Sequence, residues 1–135
     1  MNISTYQFRT IVLWVLVLIG MILHFNYHVS SIFYGIDVKR PGANGTIPAM
    51  AQLLKTVYYH FPMIFIAVLL YLKQKWFRLL MLIISLAYTI SHMIHVWEEF
   101  TKPVLNLAQA PLLSLVLIFS LLLNKASWDY FVNEI

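Results

Sequence analysis

Cysteine is absent from this chain of 135 residues, so neither a disulfide framework nor thiolate metal ligation is open to it. Charge is scarce too: Asp, Glu, Lys and Arg make up only 10% of the residues, and their spacing leaves four windows with none, at 10–36, 56–72, 79–97 and 103–124. Each window approaches the ~20 apolar residues that a helix needs to cross a bilayer. The second is short, but Ile47 to Leu54 are apolar enough to begin its helix ahead of Lys55. No soluble domain of useful size remains. The expected fold is an all-α integral membrane protein, an antiparallel four-transmembrane-helix bundle, with 1–135 a single membrane domain and helices near 9–33, 48–72, 76–98 and 104–124.

Other absences narrow the chemistry. The sequence has no Cys-x-x-Cys-His motif for covalent haem, no glycine-rich phosphate loop and no Gly-x-Ser-x-Gly elbow. The first apolar window follows one basic residue, as a secretory signal would. It has no small-residue cleavage site after Gly20 and continues through Met21-Ile22-Leu23-His24, so it is expected to be a retained helix. The net charge of +4 is read as membrane anchors and not as a nucleic-acid surface, because no basic stripe is free of the bilayer.

Orientation follows from the short connections. Lys73, Lys75 and Arg78 crowd the second loop, and Arg9 and Lys125 flank the same side; Lys39, Arg40, Lys55 and Lys102 lie opposite. Five against four places both termini in the cytoplasm by the positive-inside rule, with Trp14, Trp76 and Trp128 at the inner interface and Trp97 at the outer one.

What the sequence does hold, against this background, is five histidines. Alternating helices bring His24 and His28 from the first helix, His60 from the second, and His92 and His95 with Glu98 and Glu99 from the third to one end of the bundle. His60 falls about 7.5 Å below Lys55 at 1.5 Å per residue. Asn106 and Gln109 enter from the same end on the fourth helix. At 100° per residue, Ser85, Tyr88, His92, His95 and Glu99 share an arc of roughly 80°, with Glu98 off it. His24 and His28 are an i, i+4 pair above Gly20, and Gln52, Thr56 and His60 share a face of the second helix. Such stripes are expected to face the bundle interior, where lipid does not strand them.

Plainer readings stand beside these. His60 reads equally as an interhelical hydrogen-bonding residue, and His28 and Glu98 as solvated interfacial groups. Tyr27, Tyr34, Tyr58 and Tyr59 read as interface belt or packing. Pro62 and Pro111 fall inside expected helices and would kink them. Asn44-Gly45-Thr46 matches a glycosylation sequon, but with Pro41 and Gly42 before it the segment reads as loop chemistry.

Taken together, His24-x-x-x-His28 and His92-x-x-His95-x-x-x-Glu99 supply imidazole and carboxylate at spacings that let each pair reach a common centre. The expected metal ligands are His24, His28, His60, His92, His95 and Glu99, and the donor set suits iron or zinc, with copper or manganese as further choices. Six exceed one four-coordinate structural zinc, so two metals or a set of orienting residues is implied. Over these two stretches alone the groups resemble the histidine boxes of membrane desaturases and hydroxylases, which use iron to activate oxygen; the paired His-His boxes of those families are missing.

Three functions remain open on the sequence. One is a metalloenzyme acting on a hydrophobic small molecule. The second is a haem-b anchor or electron carrier with axial histidines from helices one and three, although Gly20 is the one glycine within a membrane helix to make room for a porphyrin. The third is a subunit that transfers or senses metal or protons, as a homo-oligomer or within a larger membrane complex.

Overall fold

The computed structural model describes residues 3–39 and 42–134. Arg40 and Pro41, used above in the charge balance and the loop reading, lie outside them. Helix α1 spans Thr5–Ser30. Ser4 starts it by accepting a hydrogen bond from the Gln7 amide at 3.1 Å. A turn of 3₁₀ helix, Ser31–Tyr34, closes it, with Gly35 at φ +72 supplying the left-handed residue. Helix α2 (Ala49–Lys55), a π-helical turn (Thr56–His60) and α3 (Phe61–Leu69) run on as one span. Helices α4 (Lys75–Phe100) and α5 (Gln109–Asn133) complete the chain.

The described residues form no strand, and four helical spans, Thr5–Tyr34, Ala49–Leu69, Lys75–Phe100 and Gln109–Asn133, are long and apolar enough to cross a membrane. Cross-helix pairs give their directions. Gln7 donates to the Leu69 carbonyl and Trp14 packs on Phe65, so α1 and α3 are antiparallel. Gly20 meets Val116 and His24 meets Gln109, so α1 and α5 are antiparallel as well. Arg78 with Tyr130 and Thr89 with Asn124 set α4 against α5 in the same sense. The result is a four-helix bundle in which α5 packs between α1 and α4. Its core is built from Trp14, Val17, Met81, Val116, Leu123 and Tyr130, while its exterior is studded with aliphatic side chains such as Ile22, Ile83, Ile90 and Leu121.

Several boundaries and facings differ from the sequence reading, each for a local reason. Helix α5 begins at Gln109 instead of 104, because the Asn106 carboxamide accepts from the Ala108 and Gln109 amides at 3.0 and 3.1 Å and caps the new helix there. It runs past Lys125 to Asn133, since Lys125 pairs with Asp129 at 2.8 Å on the exposed face while Ala126, Ser127 and Tyr130 stay buried. Trp14 is fully buried inside the bundle and not on its surface, where a belt residue would lie; nine residues into α1 places it about 14 Å from the helix start. Trp76, Trp97 and Trp128 are exposed, as a belt would be. Pro111 sits in the first turn of α5, where its missing N–H costs nothing, so it does not kink the helix.

The other proline explains the π turn. Proline cannot donate to a carbonyl behind it, and its ring crowds the carbonyl four residues back. The Phe61 amide reaches back to Thr56 instead of Val57, and residue 62, which would serve Val57 in the π register, is the proline. That leaves the Val57 carbonyl without a backbone donor, and the Tyr88 hydroxyl on α4 donates to it. Tyr58 in the same turn hydrogen-bonds Ser91, so α4 clamps the π turn at two points.

Removing one clamp is a direct test. Tyr88→Phe is expected to lower stability by about 1–3 kcal/mol, the cost of an unsatisfied buried acceptor. Thermal unfolding of the detergent-purified protein measures it, and an unchanged midpoint would mean that the Val57 carbonyl finds another donor.

Candidate functional site

The bundle end opposite the termini holds a cleft of about 370 Å³ between α1, the α2–π segment and α4. Into it α1 projects His24 and His28, the i, i+4 pair, whose rings stand edge to face with centroids 4.7 Å apart. From α4, His95 faces His24 at 6.0 Å and Tyr58 at 5.8 Å. Three of the five histidines therefore surround one space.

His24 is held in a single orientation by the first turn of α5. Its Nδ1 lies 2.6 Å from the Gln109 side-chain oxygen, and the Gln109 amide nitrogen donates back to the His24 carbonyl at 3.2 Å. The second bond fixes which end of the carboxamide faces the ring. A carboxamide oxygen only accepts, so the proton sits on Nδ1, and Nε2 keeps the lone pair in the neutral ring. Gln109 is itself almost fully buried.

The acidic side of the cleft is Glu99 with Glu98. Glu99 is 2% exposed; its Oε2 pairs with Lys102, one turn on, while Oε1 is buried with no partner among the described residues. Glu98 is mostly exposed, 3.8 Å from the His95 ring nitrogen. Apolar side chains, among them Met21, Phe25, Leu54 and Leu113, form the remaining wall.

The other expected ligands lie elsewhere. His92 is buried below the cleft, its ring 6.0 Å from Tyr58 and 6.1 Å from Tyr88, and neither ring nitrogen has a partner among the described residues. His60 is exposed at the end of the π turn and does not line the cleft. Gln52 and Thr56 share its fate: the face they form is turned outward or only half covered, and both bond locally, Gln52 to the Ile47 carbonyl and Thr56 to that of Gln52. The α4 stripe of Ser85, Tyr88, His92 and Glu99 is buried, with His95 half-covered at the cleft.

Among the described residues, no three His, Asp or Glu side chains already surround a common point that would hold a metal ion. What is present is a half-open arrangement of imidazoles with one oriented nitrogen and one unpartnered carboxylate oxygen. The pairing of Gln109 with His24, and the place of Tyr58, Lys55 and Lys102 on the cleft, escape sequence inspection. Only the position of Gln109 near the same end as His24 hints at the first. Gly20, which would make room for a porphyrin, is filled: a Cβ there would lie 2.4 Å from the Val116 side chain. No protein family model, curated protein or solved structure matches this chain.

Proposed function

We propose that this is a multi-pass integral membrane protein, with both termini cytoplasmic, that binds a transition-metal ion in the cleft at the outer end of its bundle. The ligands are His24, His28 and His95, with Glu99 Oε1 completing the set. The observation that carries the reading is the ring spacing. Two imidazoles on one tetrahedral ion, at metal–nitrogen distances near 2.1 Å, place their ring centres about 5 Å apart. The pairs His24–His28 and His24–His95, at 4.7 and 6.0 Å, bracket that figure, which supports a shared ion reached by rotation of these side chains.

Two further features support it. Ligating histidines donate their second ring nitrogen to an orienting acceptor, and Gln109 plays that part for His24. The mixed nitrogen and oxygen set suits zinc or iron. An ion held there would act as a Lewis acid beside the apolar wall of Met21, Phe25 and Leu113, where a hydrophobic small molecule has room. A lone ion is favoured over haem b because Val116 occupies the space at Gly20.

Elemental analysis of the purified protein, reconstituted in turn with Fe(II) and Zn(II), tests the proposal. The wild type is expected to carry about one metal per chain, His24→Ala/His95→Ala to carry almost none, and His60→Ala to match the wild type. Circular dichroism verifies that the variants remain helical. A wild type that stays metal-free after reconstitution, or equal metal in the double variant, would overturn it.

A further inference from the structure

At the opposite end, where the termini lie, α1 and α5 leave a second groove of about 370 Å³. Its walls are apolar, formed by Phe8, Val12 and Leu13 from α1 and Leu122 with Ala126 from α5. Its charged rim is lopsided. Lys125 is balanced by Asp129 at 2.8 Å, whereas Arg9 has no carboxylate partner among the described residues. Among the described residues, the groove therefore carries one uncompensated cation above an apolar slot.

The level of these groups is the second part of the argument. Trp128 on α5 and Trp76 at the start of α4 are exposed at this same end, and indole rings settle at the headgroup boundary. Lys125 lies three residues from Trp128 toward the bundle centre, about 4.5 Å by helical rise. Arg9 lies four residues, or about 6 Å, from the start of α1. Both cations thus sit at or just inside headgroup depth, where charge is poorly hydrated and a counter-charge is strongly favoured. The cation over the slot and the apolar walls beneath it match an amphiphile with an anionic head and a hydrocarbon tail.

We propose that this groove is a binding site for an anionic glycerophospholipid of the leaflet at the termini end, with Arg9 and Lys125 at the phosphodiester and one acyl chain along Phe8, Val12 and Leu122. It requires the four spans to be membrane-inserted but is independent of the metal reading. Asp129 works against the lipid by neutralising Lys125, which makes Arg9 the main determinant.

The test is native mass spectrometry of the full chain in detergent, offered equal amounts of phosphatidylglycerol and phosphatidylcholine with identical acyl chains. The wild type is expected to retain phosphatidylglycerol preferentially, by about fivefold for the single unpaired charge. Arg9→Gln should abolish the preference, Arg9→Lys should keep most of it, and Asp129→Asn should raise it. Lys73→Gln, which removes a cation at the same end but outside the groove, should leave it unchanged. Equal retention of the two lipids by the wild type overturns the site, as does a loss in Lys73→Gln as large as that in Arg9→Gln. Recovery of the wild type in the membrane fraction reads insertion separately, so failure of the site and failure of the membrane reading are distinguishable.

Discussion

Gly20→Leu is expected to lower the stability of the bundle by about 3 kcal/mol and to disable the cleft without touching a residue that lines it. Glycine inside a helix costs up to about 1 kcal/mol relative to alanine, so its presence in the middle of α1 needs a packing reason. That reason is Val116: even one added carbon at position 20 would lie 2.4 Å from its Cγ2. A β-branched side chain in a helix has essentially one χ1 rotamer, so Val116 cannot swing clear and the helices must part. Small residues that let helix backbones approach are the main source of cohesion where lipid is as apolar as the side chains. His24 follows one turn after Gly20, and Gln109 precedes Val116 by two turns, so parting α1 from α5 pulls apart the pair that orients the His24 ring. Unfolding in detergent followed by tryptophan fluorescence measures the first effect, and metal content measures the second. Val116→Ala combined with Gly20→Ala is expected to recover the wild-type midpoint. A Gly20→Leu protein as stable as wild type would mean that the α1–α5 contact contributes little.

The helical spans were legible because charge is so sparse that its gaps outline them, and the bundle end that gathers His24, His28 and His95 followed from alternation alone. The facing of α4 was legible as well, since an unbroken α-helix keeps its 100° step from Ser85 to Glu99. Extrapolation failed where the backbone left that step. The π turn at Thr56–His60 inserts an extra residue into the second span; Gln52 and His60 are exposed and Thr56 is half-covered, while Tyr58 turns to Ser91 and the cleft. Pro62 was visible in the sequence, but its outcome depended on Tyr88, thirty-one positions from Val57, being present to satisfy the stranded carbonyl. Histidine depth was the other gap: His92 and His95 share a stripe, yet one turn separates a buried ring among tyrosines from a ring on the cleft. Lys102 became part of the site because α4 ends at Phe100 and the chain turns back, bringing its ammonium to Glu99.

Arg78→Ala is expected to unravel the last turns of α5 and to lower stability by about 2–4 kcal/mol. Arg78 is 6% exposed and has no carboxylate partner among the described residues, which would be costly for a charge unless other groups compensate it. The compensation is the C-terminal end of α5: one guanidinium nitrogen donates to the carbonyls of Tyr130, at 3.0 Å, and Glu134, while the guanidinium carbon sits 5.6 Å from the centre of the Tyr130 ring. Carbonyls of a final turn have no helical donor, and they carry the negative end of the helix dipole, so a cation placed there satisfies both. Alanine would strand two acceptors and remove the charge together, whereas Arg78→Lys would keep a charged donor but lose the reach of the longer side chain and the guanidinium contact with the Tyr130 ring, for roughly half the loss. Hydrogen exchange of the amides from 127 to 133 is the sensitive measurement: those amides should exchange faster in Arg78→Ala, while amides of α1 near Trp14 change only with global unfolding. Equal acceleration in both regions would mean that Arg78 supports the bundle as a whole and not the end of one helix, and no acceleration in either would remove it as a cap.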